Sequence, residues 1–312
     1  MTHAKPTISI VLPLYNNGDD LADIVTAIQN NIPPKYNFEF LLVNDGSVDT
    51  TEDTMVALTA KDPRIKGISF YRNFGHQAAL RAGLEHSAGD AVLTMDADFQ
   101  HPPEMIPKLL QLWEAGHDVV IAQKLQTSEP VLIISTLRKL GYLIYKLLGD
   151  NKILPGVSDF RLVDKQILTY VNACSESRYL LRGLVMLAAK TPILLPYNVG
   201  RRRHGSSQYS ITKLFQLFLD SVTSFSLMPL RAATSVGLIL ALFSLVYMII
   251  ILYSRFVLGN YIIEGWTALM FVILFLFSFL FMYLGVLAEY VGAVFSEVKK
   301  RPSYVVKNRY NI

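Results

Sequence analysis

Two stretches near the C-terminus, Ala232–Ser254 and Trp266–Ala288, each run for 23 residues without an Asp, Glu, Lys or Arg. A hydrocarbon core about 30 Å thick needs about 20 helical residues to cross it, so runs of this length favour membrane spans over buried core helices. The linker SRFVLGNYIIEGW carries one Arg and one Glu, and Tyr253, Tyr261 and Trp266 suit a headgroup interface. Arg201, Arg202, Arg203, Lys213 and Arg231 precede the first run; Lys299, Lys300, Arg301, Lys307 and Arg309 follow the second. The positive-inside rule then predicts a two-helix hairpin with both chain ends cytoplasmic.

Composition agrees with part of the chain living in lipid. Only 17% of the 312 residues are charged, the mean hydropathy is +0.34, and 52% of residues are hydrophobic. Soluble domains carry about 25% charged residues. This excludes a disordered or collagen-like chain and a highly charged nucleic-acid binder. The net charge of +4 belongs to residues 231–312, with 7 basic and 3 acidic side chains; residues 1–230 hold 22 of each. That neutral part is long enough for a large domain with a full core. Cys174 is the single cysteine, which excludes an internal disulfide and fits a reducing compartment. The N-terminal MTHAKPTISIVLPLYNN lacks an apolar core followed by a small-residue cleavage site, so no signal peptide is expected.

Within the neutral part, ISIVLPL, EFLLVND, GISFY, AVLTMD and DVVIAQ alternate with helix-like Asp20–Asn30, Thr50–Ala60, His76–His86 and Pro103–Ala115. Near-continuous apolar strands separated by helices predict an α/β fold whose mostly parallel sheet is covered on both faces. Ligands of such sheets bind at the carboxyl ends of the strands. Two amphipathic stretches stand apart, Val131–Leu148 and Ile211–Met228. The second places Leu214, Phe215, Phe218, Val222 and Phe225 at helical spacing just before the first span, as an interfacial helix would.

The strand ends carry the chemistry. AVLTMD leads into Asp96-Ala97-Asp98-Phe99-Gln100-His101-Pro102-Pro103-Glu104. Two carboxylates two residues apart, with the Gln100 amide, form a hard-oxygen set suited to Mg2+ or Mn2+ with positions left for substrate phosphates. The second strand ends in Asn44-Asp45-Gly46-Ser47-Val48-Asp49, where Ser47 and Asp49 suit turn and cap roles and Asp45 is the better ligand candidate. Pro13 and Tyr15 close the first strand and suit the wall of a flat ring pocket. Gly-x-Gly-x-x-Gly does not follow the first strand, and neither Gly-Lys-Ser/Thr nor His-Glu-x-x-His occurs, which excludes a Rossmann dinucleotide site, a P-loop and that zinc site.

These motifs, with Arg72-Asn73-Phe74-Gly75, Ser158-Asp159-Phe160-Arg161, Arg202-Arg203-His204-Gly205-Ser206-Ser207 and Glu289-Tyr290-Val291-Gly292, resemble glycosyltransferase family 2 over nearly the whole chain. The resemblance is to its polyprenyl-phosphate branch, with dolichyl-phosphate mannose synthase, bactoprenol glucosyltransferases and lipid A aminoarabinose transferases as neighbours. It implies a GT-A-type catalytic domain over 1–210, an interfacial helix over 211–231, a transmembrane hairpin over 232–290 and a basic cytoplasmic tail over 291–312, in a bacterial inner membrane. It implies inverting, metal-dependent transfer of a sugar, glucose from UDP-glucose first, to undecaprenyl phosphate, for O-antigen or another surface glycan. Aminoarabinose, N-acetylglucosamine, galactose and GDP-mannose donors are the alternatives. Carried over by position, Pro13, Tyr15, Asn17, Asp45, Arg72 and Asp96 would hold the donor. Asp96, Asp98 and Gln100 would hold the metal, Arg138, Arg202 and Ser207 the lipid phosphate, and Asp159 would serve the acceptor as base or positioner.

The sequence departs from the family's pattern at Asn17, Lys124, Gln208 and Ala293, where Glu, Arg, Lys and Arg are usual. Lys124 keeps the charge but loses the bidentate fork of arginine. A lipid monophosphate is already anionic near neutral pH, so orientation ranks above proton removal for Asp159. A processive polysaccharide synthase of similar fold would carry Gln-x-x-Arg-Trp and more spans, and neither is present. A non-catalytic membrane assembly module conflicts with the Asp96/Asp98/Gln100 set. Gly285, Ala288 and Gly292 offer small-residue packing between spans, and a homo-oligomer is a further expectation.

Overall fold

The computed structural model describes residues 5–125, 157–174, 181–198, 228–257 and 265–312. The apolar runs become strands β1 (Thr7–Leu14), β2 (Asn37–Asn44), β3 (Ile65–Phe70), β4 (Ala91–Thr94) and β5 (Val119–Lys124). Between them lie α1 (Leu21–Asn31), α2 (Thr51–Lys61), α3 (His76–Glu85) and α4 (Ile106–Glu114), the last preceded by a 3-10 turn at Pro103–Met105. Then come β6 (Val157–Asp164), α5 (Lys165–Ala173), α6 (Leu181–Ala188), β7 (Ile193–Tyr197), α7 (Met228–Phe256), α8 (Trp266–Lys299) and β8 (Val306–Tyr310).

The eight strands form one sheet in the order β7-β5-β6-β4-β1-β2-β3-β8. β2, β1 and β4 run parallel, as do β2 with β3 and β5 with β7; β6 is antiparallel to β4 and β5, and β8 to β3. The near-continuous apolar character of β1 follows from its two covered faces. Ile8, Ile10 and Leu12 pack with Leu21, Ile24 and Ile28 of α1, while Val11 turns to Leu80 and Leu84 of α3 on the other face. Gly83 brings α3 close to β1: a Cβ there would stand 2.3 Å from Val11 Cγ1. α5 is capped by Asp164, whose side chain accepts from Gln166 N at 2.8 Å and from the Trp113 indole at 2.8 Å.

The expected basic tail over 291–312 divides in the structure. α8 runs to Lys299, and Val306–Tyr310 joins the sheet as an edge strand. Its charged residues do not oppose pairing, because an edge strand leaves Lys307 and Arg309 on the solvent side. Tyr304 stacks on Phe70 with centroids 4.8 Å apart and donates to Glu85, and Asn311 Nδ2 donates to the Thr59 and Ile65 carbonyls. Arg301–Ile312 therefore belongs to the compact unit of the sheet, whereas α7 and α8 belong to a second unit.

In that second unit α7 has 29 residues and α8 has 34. Among the described residues, Phe275–Lys299 is long and apolar enough to cross a membrane, with a mean hydropathy of 1.7, and Ala233–Tyr247 is a shorter apolar helical stretch. At about 1.5 Å per residue α8 exceeds a hydrocarbon core by several turns. Val131–Leu148 and the stretch expected as an interfacial helix, Ile211–Met228 up to residue 227, lie outside the described residues.

Candidate active site

Because β4, β1, β2 and β3 are parallel neighbours, their carboxyl ends set four loops along one edge of the sheet. Backbone and short polar side chains knit these loops. Asn16 N donates to Ser47 Oγ at 3.0 Å, Val48 N to Asn16 Oδ1 at 3.1 Å, and Gly18 N to Asp49 Oδ2 at 3.1 Å. Asp49 Oδ1 accepts from Thr51 N and from the Thr51 hydroxyl, so Ser47 and Asp49 take the structural roles their sequence positions indicate. Asn17 closes its own turn, its Oδ1 accepting from Tyr15 N at 2.9 Å. Gly46 has φ +65, and a Cβ there would lie 2.4 Å from the Arg72 carbonyl carbon, so the Asp-Gly turn brings this loop against the next one.

Asp45 is buried at that junction. Its Oδ1 accepts from Phe74 N at 2.6 Å and its Oδ2 from Gly75 N at 2.9 Å, fixing the Arg72–Gly75 loop. Burial raises its pKa, and the two backbone donors only partly oppose this. Pro13 is a buried strand residue opposite Val43, Tyr15 is half-buried, and Arg72 is exposed with its guanidinium 4.4 Å from the Phe74 ring centroid.

Asp96 and Asp98 follow β4, and both are half-buried, as is Gln100. Asp98 Oδ1 accepts from Gln100 N at 3.1 Å, and Phe99 between them has φ +60, a left-handed conformation rare outside glycine. His101 lies under the turn, 1% exposed and stacked on Phe160 at 5.0 Å. Its Nδ1 accepts from Asp96 N at 2.9 Å, and burial lowers its pKa. Among the described residues no three His, Cys, Asp or Glu side chains form a ready-made cage. Two accessible carboxylates and an amide nonetheless fit Mg2+ or Mn2+, which keep waters and take substrate phosphate oxygens as further ligands.

His76, first residue of α3, joins this set to Asp159. Its Nε2 lies 3.0 Å from Asp96 Oδ1 and its Nδ1 lies 3.9 Å from Asp159 Oδ2. Burial would lower the His76 pKa, but the hydrogen bond and charge of Asp96, with the charge of Asp159, raise it. Burial would likewise raise Asp96, yet the His101 and His76 imidazoles hold it down at about 2. Asp159 is buried in β6. Its Oδ1 accepts from Arg161 Nη2 at 2.9 Å and Arg182 Nε at 3.0 Å, and its Oδ2 accepts from Arg182 Nη2 at 2.8 Å. Against the cost of burial, Arg182 first and Arg161 second hold this carboxyl far below the usual carboxylate range.

The structure thus brings Asp96, Asp98, Gln100 and Asp159 into one region, and places Asp45, Asn17 and Arg72 in the neighbouring loops. Arg138, Arg202 and Ser207 lie outside the described residues. Sequence reasoning did not single out His76, His101, Arg161 and Arg182, which the structure places around Asp96 and Asp159. The first three stand inside or directly after quoted motifs; Arg182 stands in none.

Residues 9–170 match the profile of glycosyl transferase family 2. The chain is 34% identical over 305 residues to the SfII prophage-derived bactoprenol glucosyl transferase of Shigella flexneri, covering 97% of this chain and 98% of that protein. It is 33% identical over 301 residues to the prophage bactoprenol glucosyl transferase homolog of Escherichia coli K12, covering 96% and 98%. It is 32% identical over 305 residues to the uncharacterized glycosyltransferase YkcC of Bacillus subtilis, covering 97% and 94%.

Proposed function

Since the chain belongs to glycosyltransferase family 2, and is a glycosyltransferase with the family's α/β sheet, we propose that it transfers a sugar from a nucleotide-sugar to a polyprenyl phosphate at a membrane surface. UDP-glucose is the first donor to test and undecaprenyl phosphate the first acceptor, because the proteins it matches over nearly their whole length include the SfII prophage-derived bactoprenol glucosyl transferase. The observation that carries the reading is the juxtaposition of Asp96, beside Asp98, with the arginine-held Asp159 through His76.

In the reaction an acceptor phosphate oxygen forms a bond to the anomeric carbon. The bond from that carbon to the donor diphosphate breaks, and its electron pair leaves with the nucleoside diphosphate. Attack opposite the leaving group inverts the centre. Asp96, Asp98 and Gln100 would hold a divalent cation, which supplies neutralisation of the departing diphosphate. Asp45 holds the Arg72–Gly75 loop beside the donor, with Tyr15, Asn17 and Arg72 around it and Pro13 backing the wall from within β1. Asp159 orients groups on the acceptor side, where Arg138, Arg202 and Ser207 add phosphate contacts. The anionic nucleophile has no proton that must be removed, so the demand on the protein is to bring two polyanions together.

A transmembrane hairpin of α7 and α8, with both chain ends cytoplasmic, completes the proposal. Its support is connectivity. Sheet residues precede α7, and β8 of the same sheet follows α8, which supports an even number of crossings for the helices between them. The functional test is incubation of membranes with labelled UDP-glucose, UDP-galactose, UDP-N-acetylglucosamine or GDP-mannose, followed by organic extraction. The expected result is a labelled lipid that requires added undecaprenyl phosphate and disappears with EDTA. Release of free sugar without lipid product, from every donor, would overturn the reading.

A further inference from the structure

We propose that Arg182 is a cation for the acceptor's phosphate, and that Asp159 is the positioning residue that aims it. The inference rests on the transfer to lipid phosphate proposed above and deepens it.

The geometry is a fork. Asp159 takes Arg182 Nε and Nη2 on its two oxygens at 3.0 and 2.8 Å, the bidentate arrangement that fixes both the place and the plane of a guanidinium. The carboxylate side chain is 7% exposed, whereas the Arg182 side chain is 44% exposed. A buried anchor therefore presents an accessible cation.

Neutralising Asp159 does not require that second arginine. Arg161, 0% exposed, already donates to Asp159 Oδ1 and to the Ser158 carbonyl, both at 2.9 Å. Arg182 adds a further positive charge from a different element, α6, on the side that reaches solvent. A general-base role for Asp159 fits this arrangement poorly, because two guanidinium groups stabilise its ionised form and oppose proton uptake.

Position separates this cation from the donor's phosphates. The contacts run Asp96–His76–Asp159–Arg182, so the carboxylates that suit the donor diphosphate and the arginine stand on opposite sides of one imidazole. Two phosphate-bearing substrates that react at one carbon need two such anion-handling points, close but distinct. Arginine suits the acceptor point because its planar N–H groups match phosphate oxygens.

The test uses the full chain in detergent, with UDP-glucose and Mn2+ as donor probe and undecaprenyl phosphate as acceptor probe. Arg182→Ala is expected to raise KM for undecaprenyl phosphate at least tenfold and to leave donor KM within twofold. Arg182→Lys should fall between it and the parent. Asp159→Asn should reproduce the acceptor-selective change, and Asp159→Asn with Arg182→Ala should be no worse than Arg182→Ala alone. Thermal melts with UDP and Mn2+ show whether each variant is folded; if Asp159→Asn is not, the two Arg182 variants decide. A donor-selective defect, or an unchanged acceptor KM in Arg182→Ala, overturns this inference while leaving the transferase reading intact. If the parent enzyme forms no lipid product from any donor tested, the transferase reading fails and takes this inference with it.

Discussion

Replacing Asp159 by alanine is expected to damage the fold as well as the reaction. Asp159 and Arg161 lie 2.9 Å apart with side chains 7% and 0% exposed. Removing the carboxylate leaves a fully buried guanidinium without this counter-charge, and breaking a buried pair in that way costs about 3–5 kcal/mol. The Arg182 contact adds little, because that side chain is 44% exposed and solvent screens it. For a unit of this size, about 2–4 °C per kcal/mol gives a fall in Tm of about 6–20 °C. Trp113 is a suitable reporter, since its indole N–H donates to Asp164 at the end of the strand that carries Asp159. With Trp266→Phe as background, its fluorescence reports the sheet unit. Asp159→Leu with Arg161→Met should recover more than half of the lost stability, because apolar replacements remove both buried charges together. A shift under 2 °C for Asp159→Ala, or a further loss in the double variant, would refute the reasoning and return Asp159 to a purely chemical role.

Asp98→Ala, at a half-buried loop position, should leave the melt unchanged and lower turnover by about 100-fold or more; Mn2+-dependent UDP binding measured calorimetrically should weaken in step, and unaltered binding would remove Asp98 from the metal set. Glu39 is held below its ordinary pKa of about 4.3 because, against burial, Lys66, Ser9 and the Ala88 backbone N–H stabilise its charge. Its contribution is therefore fully present above that pKa and lost as pH falls through the lower folded value. Melts of the parent should drop below about pH 4.3 more steeply than those of Glu39→Gln, and parallel curves would contradict this. Gly46→Ala forces a Cβ to 2.4 Å from backbone at φ +65, so it should unseat the loop between Asp45 and Arg72 and raise donor KM; an unaffected donor KM would show that the loop yields. A reporter fused after Ile312 should read cytoplasmic, and an external signal would overturn the proposed cytoplasmic placement of the chain ends.

The parallel part of the sheet was legible because both faces of β1, β2 and β4 are covered, which makes their sequences continuously apolar. β6 was not, because VSDFRLVD places Asp159 and Arg161 inside a buried strand, and their mutual pairing is invisible until the fold exists. β8 was hidden for the opposite reason. VKNRY carries the charge that suits an edge strand, and in sequence this is indistinguishable from a solvated tail. The carboxylate cluster was legible as a local motif after β4. Its partners were less so: His76 reaches Asp96 over 20 positions and Arg182 reaches Asp159 over 23. Local spacing cannot encode such contacts, because only tertiary packing sets them.

The C-terminal strand gives the basic excess of the chain a mechanical meaning. The chain leaves the sheet before α7 and returns to it after α8. The second joint is short: α8 ends at Lys299, Lys300 turns left-handed at φ +46, and β8 begins at Val306. It is also secured, by the β3 ladder, by the Tyr304–Phe70 stack, and by Lys307 donating to Glu52 Oε2 at 3.1 Å. Lys307 is thus engaged with the protein's own carboxylate.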